Sequence, residues 1–184
     1  MKNRKLNRLK GHNYSSDGYY FVTICTHHRR EWFGEIRDGK MVLNKHGEII
    51  LRCWNDLPIH YDNLKLDMFV IMPNHVHAIV VIQNPVGNGL KPFPTKPHGL
   101  SEIIRAFKTF SSRRINENIR NSDCFRWQKS FYDHIIRTEP TLDQIRTYIT
   151  NNPLQWAEDV ENPAARLAGL PAGRQAPRRK IKLF

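Results

Sequence analysis

The stretch MPNHVHAIVVI, residues 72–82, constrains this chain more than any other. Its β-branched, apolar composition reads as a buried strand, yet two histidines stand at its head. Side chains alternate between the two faces of a strand, so His75 and His77 point the same way. Two imidazoles side by side on one face are two-thirds of a metal site. The simpler account of such a pair, taken alone, is that it caps a strand end and hydrogen-bonds to backbone. What decides between these accounts is the company the pair keeps elsewhere in the chain.

Lys and Arg number 29 against 17 Asp and Glu, and the pI is near 9.9. That balance favours a polyanion, nucleic acid first and an anionic membrane surface second. The apolar runs are too short to span a bilayer, and the basic N-terminus is followed by no apolar segment of the signal-peptide kind. Three scattered cysteines, Cys25, Cys53 and Cys124, form no CxxC and point to reduced thiols and a cytoplasmic setting.

Residues 1–18 read as a basic arm, 19–160 as one domain, and 161–184 as a basic tail rich in Pro and Gly, without a core of its own. YYFVTICT (19–26) reads as a strand, and MVLN after Asp38-Gly39 as its hairpin partner. Ile49, Ile50, Cys53, Trp54 and Leu57 share one helix face. KLDMFVIM and HVHAIVVI are consecutive strands, with Pro73-Asn74 as a turn of ordinary rather than primed type. Residues 84–99, with four Pro and three Gly, read as a loop. Ser101 is placed to cap a helix running to about Arg120, with an apolar stripe of Ile103, Ile104, Phe107, Phe110 and Ile115. Arg105, Lys108, Arg113 and Arg114 make the rest of that helix basic and are candidate DNA contacts. FRWQKSFYDHIIR reads as extended, and EPTLDQIRTYITNNP as a helix that ends before Pro153. Adjacent strands imply hairpins, hence an α+β fold with an antiparallel sheet.

In the last helix Tyr148 and Asn152 are one turn apart on one face. A phenol attacks phosphodiesters covalently once its pKa is lowered from about 10. A cation held by neutral ligands, two imidazoles and an amide oxygen, keeps its full charge for polarising a phosphate. Read separately, Tyr148 is a packed helix aromatic and Asn152 a C-cap. Beside the histidine pair of a basic protein, nucleophile and ligand become the better reading.

The segments MPNHVHAIVVI, LSEIIRAFKTFSSRRIN, RWQKSFYDHIIR and IRTYITNNPLQW together resemble the REP-associated tyrosine transposases. These are relatives of the single-tyrosine insertion-sequence transposases within the HUH endonuclease superfamily. The resemblance runs from about residue 15 to 157. It implies a ferredoxin-like or RRM-like antiparallel sheet with helices packed on it. It further implies a divalent ion, Mg²⁺ or Mn²⁺, on His75, His77 and Asn152, and Tyr148 as a nucleophile that forms a 5′-phosphotyrosine link with single-stranded DNA. Hairpin repeats as the partner, and a monomer in preference to a dimer, follow from the resemblance only. Two other readings fit the same residues: a non-catalytic nucleic-acid-binding module, with no use for Tyr148, and a metal nuclease that employs water.

Tyr132 is a rival nucleophile, but no ligand-type residue lies one helical turn away, so FYDHIIR reads as sheet scaffold. His27-His28, beside Arg29-Arg30, read as a solvated or phosphate-contacting patch. Trp127 reads as core.

Overall fold

The strand His75–Ile82 (β5) is buried at every position. A computed structural model describes residues 8–9, 11–84, 97–117, 119 and 123–167 of the chain. In it β5 is flanked by Leu64–Met72 (β4) and Gly18–Cys25 (β1), and β1 is flanked in turn by Tyr132–Ile136 (β6). The sheet is antiparallel throughout, in the order β4-β5-β1-β6. Two helices, Lys45–Asn55 (α1, followed by the short helix Leu57–His60, α2) and Leu100–Asn116 (α3), connect β1 to β4 and β5 to β6. They cover one face, where Tyr20, Val22, Ile24, Val76, Ala78 and Val80 form the larger core with Trp54, Ile104 and Phe107. A third helix, Glu139–Asn151 (α4), covers the opposite face against Phe21 and Ile79 through Leu142, Ile145 and Ile149. Both faces being covered, β5 has no solvent side and no polar alternation. The βαββαβ order with helices on the sheet is the α+β arrangement that the strand and helix pattern predicts, in the ferredoxin-like form that the family resemblance implies. Among the described residues no helix is long and apolar enough to cross a membrane.

The turn between β4 and β5 has two residues, with Met72 opposite His75. Neither Pro73 nor Asn74 has a positive φ, as proline at the first position requires. Residues 40–43 do not pair with β1, contrary to expectation. They form β3 (Lys40–Leu43), which pairs with β2 (Gly34–Arg37) in a separate two-stranded sheet. Both edges of β1 are already occupied, by β5 and β6. The Asp38-Gly39 turn, with φ of 50° and 70°, closes the local hairpin instead.

Ser101 is not the cap of α3. Gly99 holds that position and the helix starts at Leu100, whose amide donates to the Tyr14 carbonyl while its side chain is buried. Phe110 is 51% exposed, because the buried stripe turns from Phe107 to Ser111, which accepts a hydrogen bond from Trp127 Nε1. Trp127 is core, as expected. The helix ends at Asn116, four residues short of Arg120. The expected loop lies almost wholly at residues 85–96, outside the described residues, as do the first seven residues of the arm and the tail from 168. Within the arm, the Tyr14 hydroxyl donates to Asp133 at 2.7 Å. Within the tail segment, Glu161, Asn162 and Ala165 are buried, the last in a short helix, Pro163–Leu167 (α5).

Gly47 of α1 sits where a Cβ would run into the Phe33 carbonyl oxygen, a backbone atom with no rotamer to yield. Gly47→Ala gains about 1 kcal/mol in helix propensity but incurs an overpacking cost of about 1–3 kcal/mol. Denaturant titration should therefore show a variant no more stable than wild type, and destabilised by up to about 2 kcal/mol.

Candidate functional site

The pleat of β5 sends His75, His77 and Ile79 to the α4 side. The antiparallel register sets Cys25 beside His75, Thr23 beside His77 and Phe21 beside Ile79 on β1. Thr138 caps helix α4, its hydroxyl accepting from the Thr141 amide, and Pro140 occupies the first turn. The helix is docked on β4 by a two-pronged ion pair, Arg146 Nε and Nη2 to the Asp67 carboxylate at 3.0 and 2.7 Å. A bulge between Leu66 and Phe69 turns Asp67 toward the helix. The guanidinium holds the Asp67 carboxyl below the usual carboxylate range. Two residues along α4, the Tyr148 hydroxyl lies 3.1 Å from His77 Nε2.

Each imidazole is held at its other nitrogen. His75 Nδ1 is 2.8 Å from Asn74 Oδ1, and the Asn74 amide nitrogen is itself engaged by the carbonyls of Arg29 and Glu161. Asn74 therefore accepts, His75 carries its proton on Nδ1, and Nε2 is a lone pair. His77 Nδ1 is 2.9 Å from Thr23 Oγ1. With the Tyr148 hydroxyl donating to Nε2, His77 too is protonated on Nδ1 and donates to Thr23. This is the outer-shell pattern that fixes ligand histidines.

His75 Nε2 and Asn152 Oδ1 are both buried, and neither makes a hydrogen bond among the described residues. Asn152 is buried at the C-cap of α4 and lies against His75. Its Nδ2 donates to Asp159 Oδ2 at 3.2 Å, so its oxygen faces away from that acceptor. Two buried acceptors without donors are costly unless a cation or water completes them. Asp159 supplies a carboxylate: it, His75 and His77 offer ligand atoms all within 4.8 Å of one another. Two imidazole nitrogens, an amide oxygen and a carboxylate oxygen suit a divalent cation.

Asp159 carries no signal in the sequence. It follows the 3-10 turn Pro153–Glu158, which folds back so that Trp156 lies 6.0 Å from the His75 ring. No periodicity marks it. Asn74, by contrast, is visible as the residue preceding the pair. Tyr132 lies on β6 opposite Thr23 and packs partly buried in the same small core as Tyr148. His27 and His28 are exposed in a 3-10 turn next to Arg30.

The profile of the family described as "Transposase IS200 like" matches residues 13–152, most of the chain. The chain belongs to this family. A Haemophilus influenzae (strain ATCC 51907 / DSM 11121 / KW20 / Rd) protein described only as uncharacterized is 36% identical over 169 residues, covering 86% of this chain and 93% of that protein. The solved structure of a REP-associated tyrosine transposase bound to a REP hairpin shares the fold, with a TM-score of 0.55 at 17% identity, over 80% of this chain and 74% of that one.

In this IS200-like transposase the four basic residues expected to meet DNA divide between two surfaces. Arg105 and Lys108 face the segment 125–131. Arg113 and Arg114 border a separate cavity against α1, where Arg114 contacts Asp56 at 3.3 Å and Arg113 lies over Phe110.

Burial, and secondarily the Arg29 guanidinium, push the His75 imidazole from 6.5 down to about 3; Asn152 opposes them. Between those values the unfolded chain binds a proton that the folded chain does not. Stability is therefore full above pH 6.5 and falls as the pH drops from 6.5 toward 3. In metal-free buffer His75→Gln should flatten the dependence of unfolding free energy on pH in that window by up to one proton, about 1.4 kcal/mol per pH unit. Equal slopes in the two proteins, measured by denaturant titration across the window, would refute the neutral buried imidazole.

Proposed function

We propose that this chain cuts and rejoins single-stranded DNA, with Tyr148 as the nucleophile of a 5′-phosphotyrosine intermediate. His75, His77 and Asn152, with Asp159 added, hold the divalent cation, Mg²⁺ or Mn²⁺. The observation that carries the reading is the Tyr148 hydroxyl 3.1 Å from His77 Nε2, beside two buried acceptors that have no donor among the described residues. The family supports DNA as the substrate. The REP hairpin held by the structural neighbour supports a hairpin beside the cut.

In the reaction Tyr148 Oη attacks the phosphorus as the phenol gives up its proton to solvent water, since the His77 Nε2 lone pair that it meets in the free protein would be engaged by the cation. The P–O3′ bond breaks, the departing 3′ oxygen takes up a proton, and the 5′ phosphate stays on the tyrosine. Attack by another 3′ hydroxyl reverses these steps and joins strands without outside energy, because each step exchanges one phosphodiester for another. A divalent cation, when bound, polarises the phosphate and favours the phenolate. Asn74 and Thr23 keep both Nε2 lone pairs directed at the site, and the Asp67–Arg146 pair fixes the helix that presents Tyr148. The Asp159 carboxylate offsets one unit of the cation's charge, which tightens its binding and moderates its pull on the phosphate.

Incubation with Mn²⁺ and a single-stranded oligonucleotide should give a protein–DNA adduct that survives denaturing electrophoresis. Tyr148→Phe should fold and bind DNA yet give neither adduct nor cut, whereas Tyr132→Phe should still give the adduct. Cleavage without an adduct in wild type would assign the attack to water. An adduct that persists in Tyr148→Phe and vanishes in Tyr132→Phe would assign it to the other tyrosine.

His75→Ala and His77→Ala should each abolish cleavage with added Mn²⁺ while the circular dichroism spectrum is kept. Asp159→Asn retains the shape and one accepting oxygen, for the Glu161 amide or the Asn152 amide but not both, and loses the charge. Titration calorimetry should find its Mn²⁺ affinity lowered by about tenfold or more. Unchanged affinity would leave Asp159 outside the ligand set.

A further inference from the structure

Glu161 lies two residues beyond Asp159 on the segment that returns across the site, and it is 3% exposed. Its side chain forms an ion pair with Arg29 and accepts a weak hydrogen bond from the Cys25 thiol at 3.6 Å. Its backbone makes two further contacts. The Glu161 amide donates to Asp159 Oδ1 at 2.6 Å, and the Glu161 carbonyl accepts from Asn74 Nδ2 at 2.7 Å. The other proton of Asn74 Nδ2 goes to the Arg29 carbonyl at 3.0 Å. The two carbonyls that engage Asn74 thus belong to the two residues whose side chains are paired. Arg29 stands in a turn beside His28, both in the left-handed region at φ of 57° and 56°. Residues other than glycine stay there only where their surroundings hold them. Here the Arg29 amide donates to the Thr26 carbonyl at 3.1 Å, and the Thr26 hydroxyl to the Arg30 carbonyl at 2.8 Å.

We propose that the Arg29–Glu161 ion pair sets the tautomer of His75, acting through Asn74, so that both members of the pair are positioning residues of the cation site. The inference rests on the reading of His75 as a cation ligand. Asn74 is fully buried, so its neighbours alone decide which way its amide points. Carbonyls stand on both sides of Nδ2, and the inverted amide would set its oxygen against two acceptors. Held as it is, Asn74 Oδ1 faces His75 Nδ1 at 2.8 Å and calls for a proton there. A neutral imidazole has one such proton, so Nε2 is bare and able to ligate. With the amide inverted, His75 would accept at Nδ1, carry its proton on Nε2, and present a donor where a cation needs a lone pair.

The ion pair reaches this choice because it ties together the two stretches that supply the carbonyls, the turn after β1 and the segment after α4. A buried ion pair gains little net stability over apolar side chains of similar volume, since both charges lose their hydration. What it adds is direction, because a guanidinium and a carboxylate meet well in few geometries. His77 stands outside this chain of contacts. Its Nδ1 is directed by Thr23, on the strand β1 itself.

The test is nuclear magnetic resonance on metal-free protein carrying ¹⁵N-labelled histidine, at alkaline pH where the imidazoles are neutral. Long-range proton–nitrogen correlations separate the bare ring nitrogen from the protonated one, and His75 is assigned by its loss in His75→Gln. Wild type should show His75 protonated on Nδ1 alone. The double variant Arg29→Met/Glu161→Leu replaces the pair by apolar side chains and should still fold. It should show His75 as a mixture of tautomers while His77 keeps the wild-type pattern. Titration calorimetry should find its Mn²⁺ affinity lowered by about tenfold or more. Glu161→Ala should behave like the double variant, and Arg29→Lys, which keeps a cation beside Glu161, should retain the wild-type tautomer. A His75 that stays wholly protonated on Nδ1 in the double variant would overturn the proposal. An equal change at His77 would overturn it too, since that marks a general loosening of the site. A His75 that changes tautomer with no change in Mn²⁺ affinity would uphold the positioning role and refute the ligand reading of His75 alone.

Discussion

Burial of β5 on both faces is the constraint from which the rest follows. A strand in the middle of a sheet with helices on either side has no solvent face, so every polar group on it must be satisfied within the protein or by something the protein binds. Alternation assigns Val76, Ala78 and Val80 to the larger core and His75, His77 and Ile79 to the α4 side. The two imidazoles thus stand 4.4 Å apart between ring centres, at most 1% exposed. Asn74 and Thr23 satisfy the two Nδ1 atoms and leave the Nε2 atoms to the site.

In the proposed reaction that arrangement gives α4 a second task beside packing. Its apolar residues Leu142, Ile145 and Ile149 cover the lower part of the sheet face, and its last turn brings Tyr148 and Asn152 over the histidines. A helix held by an apolar stripe alone can slide or rotate slightly. The two-pronged Arg146–Asp67 contact resists this, because a planar guanidinium meeting a carboxylate on a bulge has one good geometry. The polypeptide after α4 then returns across the site. Asp159 is held between the Asn152 amide and the Glu161 backbone, and Glu161 pairs with Arg29. Four separate stretches of chain meet at the histidines, and β5 is the element common to their packing.

The fold class is legible in the sequence because each main element carries a local signal. These are the β-branched runs of β1, β4 and β5, the Asp-Gly and Pro-Asn turns, and the stripes of α1 and α4. Expectation and structure part where a distant interaction outweighs a local one. Residues 40–43 have the composition of a partner for β1, but that strand's edges are filled by elements from elsewhere in the chain. Ser101 is a good cap by type, yet Leu100 is drawn into the helix by a hydrogen bond to Tyr14 and by its own burial. Phe110 fits the stripe by spacing, but Trp127, arriving from beyond the helix, selects Ser111.

By itself the sequence determined the chemistry that was available. Period-two spacing places His75 and His77 on one face, helical spacing places Tyr148 and Asn152 one turn apart, and the excess of cations calls for a polyanion. These relations lie within single elements, where backbone geometry alone sets direction. Only the tertiary structure decided which groups meet. It set the Tyr148 hydroxyl against His77, left His75 Nε2 and Asn152 Oδ1 without donors among the described residues, brought Asp159 back from beyond the helix, and put Lys108 to structural use while leaving Arg105 open. Each of these depends on the packing of segments far apart in the chain, and local periodicity carries no information about such packing.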